Sequence, residues 1–217
     1  MRNSILLFLS IIILAACNES PSNKSRVVML PFYNEATFSP HWIDPGDDKL
    51  DTFHHISPFK LINQDGNIIT EETFKDKIYV VDFFFTACPG ICPKMTTNMT
   101  VLQDEFLEDN DVLLLSHSVT PESDSVPVLK QYAEDKGISS QKWHLVTGTR
   151  QEIYRLGRKD YFVEESLGLD KEEEEFLHTE NFVLIDKDRH IRGIYNGLNK
   201  TSINHLIADI KTLKKEK

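Results

Sequence analysis

The chain reads as an α/β domain, a mixed central sheet with helices on both faces and an N-terminal hairpin, and three observations predict it. Residues 78–85 form a nearly unbroken β-branched and aromatic run, the composition of a strand buried on both faces. Such runs alternate with helical periods, strand then helix twice. A second hairpin signal and an amphipathic period then close the chain.

Each element has its own signal. Residues 59–62 and 67–69 flank Gln64-Asp65-Gly66 as the first hairpin, and Thr70 caps a brief helix ending near Lys75. After the strand at 78–85, Pro93 suits the first position of a helix, which puts Cys92 at its cap. Met95, Met99, Leu102 and Phe106 share one face of that helix and read as core packing. Residues 112–115 give a second buried strand, and residues 126–136 a helix ended by Gly137. A third short strand spans 143–146, a short helix 150–157, and the acidic run 170–175 reads as a solvated loop. The second hairpin pairs 181–185 with 191–195 around Asp186-Lys187-Asp188-Arg189, and residues 202–213 form the closing helix. This order is the thioredoxin-like arrangement, in which sites gather at the carboxyl ends of the strands.

Ahead of that domain lie two segments of another kind. Residues 1–16 carry Arg2 and an apolar core from Ile5 to Leu14, the length of a signal-peptide hydrophobic region and shorter than a membrane-spanning helix. Leu14-Ala15-Ala16-Cys17 resembles the processing site of bacterial lipoproteins, so residues 1–16 are expected to be removed and Cys17 to carry lipid. Residues 17–53, polar and punctuated by Pro21, Pro31, Pro40 and Pro45, are expected to be a lipid-anchored flexible linker, leaving 54–217 as the folded domain. The expected location is the cell envelope, on the extracytoplasmic side of a membrane. The net charge of −10 argues against nucleic acid as a partner.

Of the three cysteines, only Cys88 and Cys92 fall in the domain. Outside the cytosol a vicinal pair is a structural disulfide, a redox pair or a metal site. A disulfide closing so small a loop would constrain little chain entropy, because stabilisation grows with loop length. Both cysteines precede proline, which disfavours α geometry, and Gly90 is free to let the loop curl until the sulfurs face one point. A cysteine at a helix N-terminus has its thiolate stabilised, and two soft thiolates suit Cu(I), zinc or iron–sulfur. Further ligands would come from histidine, and His41, His54, His55, His117, His144, His178, His190 and His205 are all available. Spacing does not choose among them, although His178 precedes a strand and His117 ends the one expected beside the cysteine-bearing strand.

Three stretches together carry a resemblance. Phe84-Phe85-Thr86-Ala87-Cys88-Pro89-Gly90-Ile91-Cys92-Pro93, then Trp143-His144-Leu145-Val146-Thr147-Gly148-Thr149, then His178-Thr179-Glu180-Asn181-Phe182-Val183-Leu184-Ile185-Asp186 make the chain similar to the Sco/SenC family from about residue 56 onward. The resemblance implies a membrane-tethered thioredoxin-fold protein that binds copper, as Cu(I) or Cu(II), and assists assembly of the binuclear copper centre of cytochrome c oxidase. Its partner would be the copper-bearing subunit of that oxidase. Cys88, Cys92 and His178 are the implied ligands. Many relatives have carboxylates where Gly90, Thr120 and Leu177 stand here, so any outer carboxylate role is altered, and His117 could supply part of the polar surroundings. On this reading the chain is a metallochaperone and not an enzyme. The alternative is a thiol–disulfide oxidoreductase that keeps the oxidase subunit's cysteines reduced, with Cys88 and Cys92 as its redox pair. Thioredoxin-like reductants more usually place two residues between their cysteines, where this chain has three.

Overall fold

A computed structural model describes residues 25–163, 177 and 179–216 of the chain. Cys17, His178, the signal segment and the acidic run 170–175 lie outside the described residues. Lys60–Asn63 (β1) and Ile68–Thr70 (β2) form the expected hairpin, turned at Gly66 with φ +78°. A 3-10 turn, Glu71–Phe74, follows Thr70. The buried run becomes Ile78–Phe84 (β3), and Cys92–Glu105 is the first α-helix (α1). Then come Val112–Ser118 (β4), Val126–Lys136 (α2), Trp143–Thr147 (β5) and Arg150–Arg155 (α3), the last continued by a wider turn over Leu156–Asp160. Asn181–Ile185 (β6), Ile191–Asn196 (β7) and Lys200–Leu213 (α4) follow, and a short 3-10 helix, Asp48–Thr52, precedes the first hairpin.

The strands make one mixed sheet in the order β2-β1-β5-β4-β3-β6-β7. β3 runs parallel to β4, and β4 to β5, whereas β6 and β7 on one side and β1 and β2 on the other are antiparallel. Every residue of β3 is buried, as a central strand requires. Alternation along it divides the core in two. Ile78, Val80 and Phe84 face α1, α2 and α4, meeting Met95, Met99, Leu129, Leu206 and Ile210. Tyr79, Val81 and Phe83 face the other side, with Phe59, Phe74, Ile153 and Tyr161. The expected thioredoxin-like architecture is therefore present, with helices on both faces.

Three expectations need correction. Cys92 is the first residue of α1 and Ile91 its cap, so Pro93 stands one place further in than expected; its ring still removes only an amide that no helical carbonyl would accept. β4 runs three residues past Leu115, because Ser116, His117 and Ser118 are polar yet fully buried. The third concerns the linker. Leu30 and Phe32 are each 2 % exposed, the backbone of Phe32 pairs with His41, and Tyr33 N–H donates to Ile191 O at 3.1 Å. Arg192 beneath them donates to Leu30 O at 2.8 Å and Pro31 O at 3.2 Å, lies 3.8 Å over the Phe32 ring, and pairs with Asp186 and Glu216. From Leu30 on, the segment is a strap packed along β7, because its few apolar side chains gain about 1.5–3 kcal/mol each from burial.

Candidate metal centre

The chain leaves β3 at its carboxyl end and reaches Cys88 through Phe85, Thr86 and Ala87, turning where Cys88 N–H donates to Phe85 O at 3.3 Å. Cys92 opens α1, whose first turn folds back on Ile91: the amides of Lys94 and Met95 both donate to Ile91 O. The amides of Gly90, Ile91 and Cys92 are left at the helix start and are aimed at the Cys88 sulfur. Both cysteines are free thiols; Cys88 is half-buried, whereas Cys92 is buried against Phe84 and Met95.

This geometry makes the thiols unequal. Burial works against the Cys88 thiolate, but the hydrogen bond from Cys92 and the backbone N–H groups of Cys92, Gly90 and Ile91 outweigh it, and the pKa is lowered. Burial, and then the thiol's engagement with Cys88, push Cys92 up to about 12, although the Phe85 amide donates to its sulfur. The sequence put helix-terminus stabilisation at Cys92. It falls on Cys88, because the amides point outward from the helix to the residue ahead of it.

Beneath the pair lies Asp82, 2 % exposed on β3 and on the same sheet face as Cys92. Ser116 Oγ donates to its carboxylate, and Trp143 Nε1 donates to Ser116 Oγ at 2.7 Å. Burial, only partly offset by Ser116, pushes the carboxyl up to about 7. Tyr132 stands at the other side, its hydroxyl 2.8 Å from Thr96 Oγ1 and its ring 5.5 Å from Phe84. Asp82 was detectable as the one charge in a fully apolar strand. Asp124, described below, gave no signal beyond that of an ordinary turn residue.

Cys88 and Cys92 are thus brought together as expected. His117 is not brought to them. It faces the opposite side of the sheet, stacked 4.8 Å from Phe83 and close to Phe59 and Tyr161, and burial lowers its pKa to about 3. It is a neutral core group, because alternation on β4 turns it away from α1, and it supplies nothing to the polar surroundings of the cysteines. Met95 and Met99 are fully buried core residues. Among the described residues no group of three or more His, Cys, Asp or Glu side chains gathers as a metal-binding cluster.

A thioredoxin-like sheet with two free thiols where its central strand meets a helix defines a dithiol protein that can exchange disulfides or hold a soft metal. The chain belongs to the SCO1/SenC family, whose pattern matches residues 47–215. Its fold is close to that of BsSco, described as a member of the Sco family of cytochrome c oxidase assembly proteins with a disulfide switch, at 32 % identity and a TM-score of 0.62 over 76 % of this chain and 95 % of that one. It is likewise close to a SCO1/SenC family lipoprotein from Bacillus anthracis, at 31 % identity and a TM-score of 0.65 over 75 % and 96 % of the two chains. A third likeness is to the Arabidopsis thaliana protein ScoI solved with copper bound, at 26 % identity and a TM-score of 0.57 over 73 % and 98 %.

Proposed function

We propose that this chain is a membrane-anchored copper carrier that assists assembly of the binuclear copper centre of a cytochrome c oxidase. The observation that carries the reading is the dithiol itself: two free thiols, one outward and one buried, at the edge of the central strand in a SCO1/SenC chain. Copper here is cargo. Two thiolates are soft donors suited to Cu(I), and the imidazole of His178, taken from the family resemblance, would complete a set able to hold Cu(II) as well. Cys92 would be the fixed ligand, held by core packing. Cys88, at the surface, would be the one an acceptor's thiolate can approach during ligand exchange. Cys17 would carry the lipid that keeps the domain at the membrane, supported by the small residues before it and by the lipoprotein relative. Among the described residues no helix is long and apolar enough to cross a membrane.

The inequality of the thiols favours a second reading. A half-exposed thiol with a lowered pKa beside a buried one with a raised pKa is also the arrangement of a nucleophile and its resolving partner. That reading is a thiol–disulfide oxidoreductase acting on the oxidase subunit.

Copper titration of the reduced full-length chain, with metal analysis and absorption spectra, separates the two. The carrier reading expects one copper per chain, lost in the Cys88→Ser, Cys92→Ser double variant and blocked by prior oxidation of the pair, since a disulfide offers no thiolate. It also expects His178→Ala to weaken Cu(II) binding and change its spectrum while the pair still oxidises and reduces. Tight stoichiometric copper in the double variant would defeat the ligand assignment. An unchanged His178→Ala protein would shift the balance to the oxidoreductase.

A further inference from the structure

The pairing of β3 with β4 ends at Phe84 opposite Ser118, and Val119 N–H adds one more bond to Phe84 O at 2.9 Å. Thr86 lies beyond that ladder, two residues before Cys88, yet it is held firmly. Its N–H donates to Asp124 Oδ2 at 3.2 Å and its hydroxyl to Asp124 Oδ1 at 2.5 Å. The same carboxylate accepts from Ser118 Oγ at 2.6 Å and from Thr120 Oγ1 at 3.1 Å. Asp124 is 1 % exposed, and its own amide, like that of Ser123, donates to Thr120 O at 2.9 Å. A buried carboxylate with four donors is well satisfied.

The sheet does not need this group to join β3 to β4, since the ladder already does so. What Asp124 adds is the placement of Thr86. Adjacent peptide groups then face two ways: the N–H of Phe85 donates to the Cys92 sulfur, and that of Thr86 to Asp124. Rotating the Thr86 peptide would turn the Phe85 carbonyl, which shares that peptide plane, away from the Cys88 N–H it accepts from at 3.3 Å, and so swing the Cys88 sulfur relative to that of Cys92.

We propose that Asp124 is a positioning residue for the dithiol, fixing through Thr86 how the Cys88 and Cys92 sulfurs stand to one another and so setting the equilibrium between the dithiol and its disulfide. The proposal rests on the proposed function only in taking the pair as the working site. It needs no metal, so a chain that bound no copper would defeat the carrier reading and leave this one standing.

The test uses the full-length, metal-free chain equilibrated with mixtures of reduced and oxidised dithiothreitol. In oxidising, the pair gives two electrons and two protons to the reagent disulfide as the Cys88–Cys92 bond forms. Asp124→Asn keeps the size and removes the charge. It is expected to shift the equilibrium constant at least tenfold and to change the rate of Cys88 alkylation by iodoacetamide. Thr86→Val, which lacks the hydroxyl donor, should shift the constant in the same direction. Thr86→Ser, which restores the donor, should stay within twofold of the parent, as should Ser123→Ala on the exposed side of the same turn. Variants that melt earlier but keep the parent constant within twofold would make Asp124 a packing group only and overturn the proposal. If Asp124→Asn does not fold, Thr86→Val decides by the same twofold limit.

Discussion

His117 and Asp82 occupy opposite faces of the same sheet and answer acid in opposite senses. Neither ring nitrogen of His117 makes a close hydrogen bond among the described residues, and burial, only partly offset by the Asp82 backbone, lowers its pKa to about 3 from an ordinary 6.5. The unfolded chain therefore takes up a proton that the folded one refuses, and stability present above about pH 6.5 is lost as pH falls toward 3. Asp82, raised from 3.8 to about 7, behaves in reverse: its contribution is complete below about pH 4 and is lost as pH rises through 7. Over pH 4.5 to 6.5 each slope amounts to roughly 2–3 kcal/mol, and the two largely cancel. His117→Phe, which keeps the stack on Phe83, should lose stability between pH 4.5 and 6.5 relative to the parent, and Asp82→Asn should gain it. Urea unfolding at the two pH values measures both. Equal changes in parent and variants would mean that neither group titrates as its burial requires.

At the level of elements, the helix stops and starts can be tested directly. Gly137 ends α2 at φ +67° with open space around it, so Gly137→Ala should cost about 1–2 kcal/mol through backbone conformation alone and leave dithiol chemistry untouched. A melting curve together with the dithiothreitol equilibrium reads both. Much of the fold was legible because such signals are local: the glycine after α2, the hairpin turn at Gly66, the apolar run of β3 and the helical period of Met95, Met99 and Leu102. The end of β4 was not, since the partners that let its polar residues be buried are set by the fold: Asp82 and Trp143 for Ser116, Asp124 for Ser118, and the Phe59, Phe83 and Tyr161 rings for His117. The same applies to the site. The cysteines stand out by scarcity and spacing, and His178 entered through family likeness. The unequal thiols follow from where three backbone amides point, which no spacing reveals.

For the whole molecule, Arg192 is the joint between the strap, β7 and the C-terminal end. It is 3 % exposed and engages Asp186, Glu216 and two strap carbonyls at once. Arg192→Met should cost about 3–5 kcal/mol by leaving buried carboxylates unmatched, and residues 25–33 should become open to limited proteolysis while Cys88 alkylation keeps its rate. An uncut strap in a destabilised variant would place the joint elsewhere. The strap also has a mechanical consequence. It is fastened to the body at separate points in series: Ser25 to Asp209 of α4, Leu30 N–H to Glu216, the Arg192 contacts at Leu30 and Pro31, Tyr33 to Ile191 of β7, and then Ile56 to Arg189 in the turn ahead of β7. A pull from the N-terminal side loads these fastenings one after another, as in unzipping, and the strap should peel away at low force. In a single-molecule stretching trace this would appear as an early extension of up to about 110 Å for the residues between 25 and 56, before the seven-stranded sheet yields. A tug at the leading end would then be spent on the strap, and the strand that leads to the thiols would stay in register.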